Sequence, residues 1–334
     1  MTDFDTAGAN ALFAPFDRPD VPGAAAIVVR GGRVRYRAAF GAADLEARLA
    51  CTPATNFRLA SVTKQFTALA VMLLAERGAL GYDEPIARFF DRAPAAWQGV
   101  TIRQLLTHTS GLVDFEELIP PGTVTPLRDA DVLKLVMGAP QTYFPPGAAY
   151  RYSNTGYCLL ALIVECVAGR PFAAFLREAI FAPLGMRTTL AYEAGVSTVP
   201  NRAYGYSRAA SGWERTDQSI TSSTLGDGGV YSSVEDLALW DRALVEGRLV
   251  RAEALTEAFA PAVALPGGGG YGFGWYVGAR GGLRLVYHTG ETVGFRTAIV
   301  RVLERSVSAV VLCNRSEAIP LALAHALVEI ELDR

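Results

Sequence analysis

The apolar residues of this chain follow two periods, and the switches between them divide it into thirds. Near the N-terminus, Ala24–Arg30 and Arg33–Phe40 read as strands separated by Gly31-Gly32, a two-residue hairpin signal. A short helix is expected before them, over 5–16, followed by a proline-rich link at Pro19–Pro22. From 61 to about 260 the spacing lengthens to three and four residues. Phe66, Leu69, Ala70, Leu73 and Leu74 form one such stripe, closed by Arg77-Gly78, which predicts a helix opening at Ser61. Further helices are expected over Ile102–Thr107 with Thr101 as N-cap, Asp129–Met137 stopped by Gly138 and Pro140, and Thr155–Ala168 ended by Gly169. Phe172–Ile180 and Val234–Glu246 complete the set, with Gly195–Gly226 between them reading as loop with short hairpins. After the four-glycine tract 267–270, read as a flexible loop, strands are predicted at Tyr271–Val277, Leu283–His288, Val293–Leu303 and Ser306–Cys313. A final amphipathic helix covers 317–332.

Strands at both ends with a helical middle predict an α+β fold. One antiparallel sheet would be assembled from the two termini and flanked by their helices, with a mainly helical domain inserted. The expected division is 1–60 plus 265–334 for the sheet-containing domain and 61–264 for the helical one, with the active site at their junction. Composition agrees, since 334 residues at 51% hydrophobic content can build a substantial core. Net charge is −2, from 31 basic and 33 acidic residues without a basic stripe, so no nucleic-acid partner is expected. Apolar runs such as 68–75 and 307–313 are too short for a membrane segment. The start, Met-Thr-Asp-Phe-Asp, lacks a basic n-region and an apolar h-region. A cytoplasmic address is therefore expected, or a periplasmic or secreted one if a leader precedes it. Cys51, Cys158, Cys166 and Cys313 read as buried free thiols; Cys158 and Cys166, two turns apart on one helix, are about 12 Å apart, too far to bridge. With three histidines and no H-x-x-x-H pattern, no metal site is expected.

Candidate chemistry enters at Ser61-x-x-Lys64, which places an amine one turn from a hydroxyl on the same helix face. A serine hydroxyl is a weak nucleophile until a base takes its proton, and a partly desolvated lysine amine can do that. The unpaired N–H groups of the helix start also favour negative charge developing there. Such spacing arises by chance about once in a chain of this length, and serine is equally a favoured N-cap. Partners are needed, and two patterns supply them. Tyr152-Ser153-Asn154 follows the Phe144-Pro145-Pro146-Gly147 turn, and His288-Thr289-Gly290 stands where a strand is expected to end. A rival serine, Ser207 in Gly205-Tyr206-Ser207-Arg208-Ala209, approximates a G-x-S-x-G elbow but lacks the buried strand before it and the helix after it.

In order and spacing these three patterns resemble those of the serine β-lactamase and penicillin-binding-protein superfamily. The nearest branch holds class C β-lactamases, family VIII carboxylesterases and D-aminopeptidases. His108-Thr109-Ser110-Gly111-Leu112, Tyr150–Tyr157, Pro183-Leu184-Gly185-Met186 and Gly228-Gly229-Val230-Tyr231-Ser232 extend the likeness over most of the chain. In S-x-x-K families the companions are S-D-N and K-T-G; here Tyr-Ser-Asn and His-Thr-Gly stand in their places. The resemblance implies a β-lactamase/transpeptidase-like fold with Ser61 as nucleophile and no cofactor. Lys64 and Tyr152 would shuttle its proton, the neighbouring ammonium stabilising the Tyr152 phenolate. Asn154 would hold Lys64 or a substrate amide, and the backbone N–H groups of Ser61 and Glu291 would form an oxyanion hole. Thr289 and Gly290 would run beside the substrate, with Gly290 allowing close approach. His288 would hydrogen-bond Tyr152 or the substrate, His108 would brace a loop, and Asn314 matches a position near the substrate.

Substrate class follows from charge. His288 replaces the lysine that helps bind a substrate carboxylate and is mostly neutral at pH 7. Glu291 adds a carboxylate beside the oxyanion hole unless its side chain turns away, and Arg296 restores positive charge if it points into the cleft. A small ester or amide with an uncharged or cationic group near the scissile bond is therefore expected, with little β-lactam hydrolysis. The alternatives are a β-lactamase or DD-peptidase, and a sensor domain that acylates once and stalls.

Overall fold

The computed structural model describes residues 4–139, 141–266 and 268–333, so Pro140 and Gly267 lie outside the described residues. An eight-stranded antiparallel sheet organises the chain, in the order Val263–Ala264, Gly270–Tyr271, Tyr276–Arg280, Leu283–Thr292, Phe295–Val302, Val307–Cys313, Ala24–Arg30 and Arg33–Phe40. The N-terminal hairpin thus closes onto the last strand, with Ala24 opposite Cys313 and Arg30 opposite Val307. Its turn uses Gly31 and Gly32 at φ +54 and +74, the left-handed pair that a type I′ hairpin requires.

Side chains alternate between two buried faces. Ala25, Ile27, Val29, Ile299, Val310 and Leu312 join the larger core, which holds the helices Lys64–Glu76 and Val234–Glu246. Ala24, Ala26, Val28, Val300, Ala309 and Val311 face the helices Thr6–Ala11 and Pro320–Leu332. Covered on both sides, Val307–Cys313 is buried at every position, which explains its apolar run, broken only by Ser308, whose hydroxyl donates to Asp241. Buried Glu331 on the last helix pairs with Arg30 and Arg35 of the hairpin, tying the two ends of the chain. Among the described residues no single helix is long and apolar enough to cross a membrane.

Several expectations shift. The run at Tyr271–Val277 is split, because Gly274 at φ +77 leads the chain out of the sheet and against the Lys64 backbone. The strand expected at Leu283–His288 continues to Thr292, which puts His288-Thr289-Gly290 inside a strand rather than at its end. Segment 5–16 breaks into the helix Thr6–Ala11 and a 3-10 turn at Ala14–Phe16. After Phe172–Leu176 the chain forms a π turn over Arg177–Phe181. A helix at Ala252–Ala258 went unforeseen. Cys166 is exposed, on the solvent side of the helix Asn154–Ala168, whereas the other three thiols are buried and all four are free.

Candidate active site

Ser61 stands on a 3-10 turn, Ala60–Thr63, that feeds the α-helix Lys64–Glu76. That helix is buried along its whole first three turns, so it is apolar all round rather than striped. Two of its polar residues tie it to neighbours: Gln65 Oε1 accepts from Trp240 Nε1 at 3.1 Å, and Thr67 donates to the Gly226 carbonyl at 2.6 Å. The approach to Ser61 is held by the sheet. Leu59 N–H donates to Val230 O at 2.8 Å, and Thr297 Oγ1 donates to Leu59 O at 2.7 Å. Ala60 follows at φ +49, a left-handed conformation unfavourable for alanine.

Lys64 is fully buried, and its Nζ has three oxygen neighbours: Ser61 Oγ at 3.0 Å, Asn154 Oδ1 at 2.8 Å and the Asp227 carbonyl at 3.0 Å. The last two can only accept, so they engage two N–H groups, and the remaining tetrahedral direction points at Ser61. Burial pulls the Lys64 pKa below the ordinary lysine value, opposed by the charge of Asp227. In the amine form the lone pair would face the hydroxyl. Tyr152 completes the group. Lys64 Nζ lies 4.9 Å from its ring centroid, and the Ser61 side chain is a polar neighbour acting on its phenol. Burial pushes the phenol well above the ordinary tyrosine value, so Tyr152 rests protonated instead of as the expected phenolate. Asn154 links this group to two acids: its backbone N–H donates to Asp114 Oδ2 at 2.6 Å and its Nδ2 to Glu116 Oε1 at 2.9 Å.

His288 is turned away from Tyr152. Its Nδ1 lies 2.6 Å from the Thr289 carbonyl, which only accepts, so that nitrogen carries the proton and Nε2 accepts from Tyr271 OH at 3.0 Å. Burial and the nearby Lys64 charge depress its pKa to about 3, leaving a neutral ring. In place of the expected bond to Tyr152 or the substrate, both ring nitrogens are engaged by Tyr271 and the Thr289 carbonyl, because His288 is buried among tyrosines. Gly290 is required for a different neighbour than expected: a Cβ there would fall 2.1 Å from the Leu59 carbonyl and 2.2 Å from Thr297 Oγ1. It makes room for the Ser61 approach, while Thr289 beside it is half-buried. Asn314 is also relocated. Its Oδ1 accepts from Gly23 N–H at 2.6 Å and its Nδ2 donates to the carbonyls of Ala42, Ala43 and Tyr204. The amide is spent on bracing backbone and is wholly buried.

Glu291 and Arg296 neutralise each other at 2.7 Å, the Glu291 side chain largely exposed. Arg296 also donates to the Thr292 and Phe295 carbonyls, so its charge stays on the rim. Ser61, Asn154, Glu116, Asp227 and Glu291 line one cavity of about 50 Å³. Its walls carry more carboxylates than cations, since Arg58, also lining it, is committed to the Gly228 and Ser222 carbonyls. Asp114, Glu116, Asp227 and Tyr271 carry no motif in the sequence: Asp114 caps the short 3-10 turn Phe115–Leu118 that holds Glu116, and Asp227 lies in a turn, so no periodicity marks the three acids. His108 does brace a loop, its Nδ1 accepting from Ser153 N–H at 3.2 Å beneath the Tyr152 ring. Ser207 shares its hydroxyl with the hydroxyls of Thr216 and Ser316, neither of which is a base. Asp129, Cys158 and Asp227 bring ligand-type atoms within 4.8 Å of one another. The Asp129 oxygens already accept from Leu225 and Gly226 N–H, and Cys158 is held well on the thiol side by burial, a poor donor set for a metal.

The Beta-lactamase family profile matches residues 9–333 of this chain. The chain belongs to the Beta-lactamase family. Its large antiparallel sheet with helices on both faces is the β-lactamase/transpeptidase-like fold. It is similar to penicillin-binding protein 4* of Bacillus subtilis (strain 168), 33% identical over 310 residues, which cover 87% of this chain and 68% of that protein. A D-aminopeptidase of Brucella canis is 32% identical over 305 residues, 88% of this chain and 56% of that protein. The chain thus spans little more than half the length of that relative. Among solved structures it is similar to D-amino acid amidase from Ochrobactrum anthropi SV3 complexed with L-phenylalanine amide, with a TM-score of 0.82 at 26% identity and 98% of each chain covered.

Proposed function

We propose that this chain is a serine hydrolase that cleaves small amides and esters through an acyl-enzyme on Ser61, with D-amino-acid amides as the best substrates. The observation that carries the reading is the placement of Lys64: two of its three hydrogen-bonding directions are occupied by acceptors, and the third faces Ser61 Oγ at 3.0 Å. In acylation the Lys64 amine takes the Ser61 proton as Oγ attacks the substrate carbonyl. The oxyanion is held by the backbone N–H groups of Ser61 and Glu291. Protonated Tyr152, beside Lys64, delivers its proton to the leaving amine or alkoxide and is recharged from Lys64. Deacylation runs the same relay in reverse, with water in place of the leaving group. Residues 1–60 with 265–334 are read as the sheet domain and 61–264 as the helical one, the reacting group lying between them.

The acidic wall of the cavity supports a substrate with an ammonium near the scissile bond. Glu116 is the carboxylate best placed to meet it, since it already reaches Asn154 beside Lys64. The names of the D-aminopeptidase and D-amino acid amidase relatives support the same class. The test is a panel of D-amino-acid amides, short-chain p-nitrophenyl esters and a chromogenic cephalosporin, run beside the Ser61→Ala variant. Amides and esters should turn over, and the variant should keep its fold while losing about 10³-fold or more in kcat. Cephalosporin turnover exceeding both would replace this reading with a β-lactamase. One product equivalent without turnover would replace it with a sensor.

A further inference from the structure

One residue from the Asp227 carbonyl that holds Lys64, the backbone is gripped by a buried carboxylate that the proposed reaction does not use. Asp129 opens the helix Asp129–Met137 and is 7% exposed. Its two oxygens accept from successive backbone N–H groups nearly a hundred residues away, Leu225 at 2.8 Å and Gly226 at 3.2 Å. The next residue is Asp227, whose carbonyl accepts from Lys64 Nζ at 3.0 Å. Two other contacts clamp the same stretch. Thr67, on the helix that carries Lys64, donates to the Gly226 carbonyl at 2.6 Å, and a Cβ on Gly226 would sit 2.2 Å from the Tyr157 carbonyl. Cys158 donates to Asp227 Oδ1 at 3.6 Å.

We propose that Asp129 is a positioning residue for the Ser61 reaction: by gripping Leu225 and Gly226 it sets the Asp227 carbonyl that aims Lys64. The inference rests on the hydrolase reading above. Lys64 has a flexible four-carbon stem, so its nitrogen points at Ser61 only while its other two N–H groups are held. Asn154 Oδ1 holds one and the Asp227 carbonyl holds the other. That carbonyl belongs to an irregular segment without helix or strand to fix it, and Asp129 supplies two of the bonds that do. An ionised carboxylate suits this task because both oxygens accept, whereas an amide must turn a donor toward one of the two N–H groups. Asp227 and Cys158 are the titratable groups facing it from the other elements; burial, with the Asp227 charge, pushes the Asp129 carboxyl up to about 7 against the pull of the Leu225, Gly226 and Cys158 hydrogen bonds.

Two variants test this on the full chain. Asp129→Asn keeps the shape but removes one of the two acceptors. Thr67→Val loosens the same segment from the helix Lys64–Glu76. Each is compared with the parent protein for the pH dependence of kcat/KM on a D-amino-acid amide and for the rate of Ser61 labelling by a fluorophosphonate. With a weaker grip on the Asp227 carbonyl, the ammonium form of Lys64 loses support. The acid limb should then move to lower pH by roughly half a unit or more in both variants. In Asp129→Asn, kcat should fall about tenfold or more with KM within about threefold. An unmoved acid limb in both variants overturns the proposal, whether or not kcat falls, because a purely structural loss would lower activity without moving it. If Asp129→Asn fails to fold by circular dichroism, Thr67→Val decides alone. A parent protein that is never labelled refutes the hydrolase reading itself, which is a separate and visible outcome.

Discussion

Around Lys64 the protein solves a problem of proton affinity. A solvated lysine is protonated at neutral pH and cannot act as a base, but burial lowers the affinity of Lys64 below the ordinary 10.5. The expected consequence is a kcat/KM that rises with pH through one ionisation lying below that value. Lys64→Arg, which stays charged throughout, should label with a fluorophosphonate at least about 100-fold more slowly, as followed by the time course of labelling. At the acidic wall, Glu116→Gln removes a charge while keeping the bond to Asn154 feasible. KM for a D-amino-acid amide should rise roughly tenfold, a loss of about 1.4 kcal/mol, and KM for a neutral p-nitrophenyl ester should stay unchanged. Equal shifts for both substrates would remove the ammonium-binding role. At this scale the sequence was partly legible. Ser61, Lys64, Tyr152 and Asn154 converge, because a rigid helix and a tight turn present them. Asn314 misled, since a strand-end position near a motif does not reveal that backbone carbonyls already claim the amide.

Among elements, the decisive contact is the seating of the 57–61 segment on the strands Leu283–Thr292 and Phe295–Val302. Gly290 sits opposite Thr297 across that pair, and the Leu59 carbonyl enters the space between them. Gly290→Ala should force the segment off the sheet. A loss of about 1–3 kcal/mol in a urea melt and a collapse of Ser61 labelling are expected, although neither residue meets the reacting atoms. Retained labelling at full rate would show that the seating is not needed. The elements themselves were read well wherever one signal dominated. The Gly31-Gly32 hairpin and the helices Asp129–Met137 and Val234–Glu246 fall on their predicted boundaries. Reading failed where tertiary contact overrode local pattern. Gly272 and Gly274 interrupt an otherwise strand-like run because the Ala258 carbonyl and the Lys64 backbone press against them.

For the molecule as a whole, two buried neutral histidines couple stability to acid. Burial holds His108 well below, and His288 at about 3 against, the ordinary 6.5. As pH falls below 6.5 the unfolded chain binds protons that the folded chain refuses. Stability, complete above that pH, should therefore drop by about 1.4 kcal/mol per pH unit for each histidine, down to about 3 for His288. Urea melts from pH 8 to 5 would measure the slope, and His288→Gln should reduce it. A slope unchanged in that variant would mean that His288 protonates freely in the folded protein. The α+β architecture was legible because strand-like runs cluster at both ends, but the partner of each sheet edge was not, since register comes from packing across hundreds of residues.

That closure has a consequence for how the protein comes into being. The strands that seat Ser61 lie more than two hundred residues beyond it, and the hairpin at 24–40 waits for the strand at 307–313 before it has a neighbour on its open side. During synthesis the nucleophile would leave the ribosome well before those strands and remain unarmed until they emerge. A nascent or truncated chain would then carry the reactive sequence without any capacity to acylate.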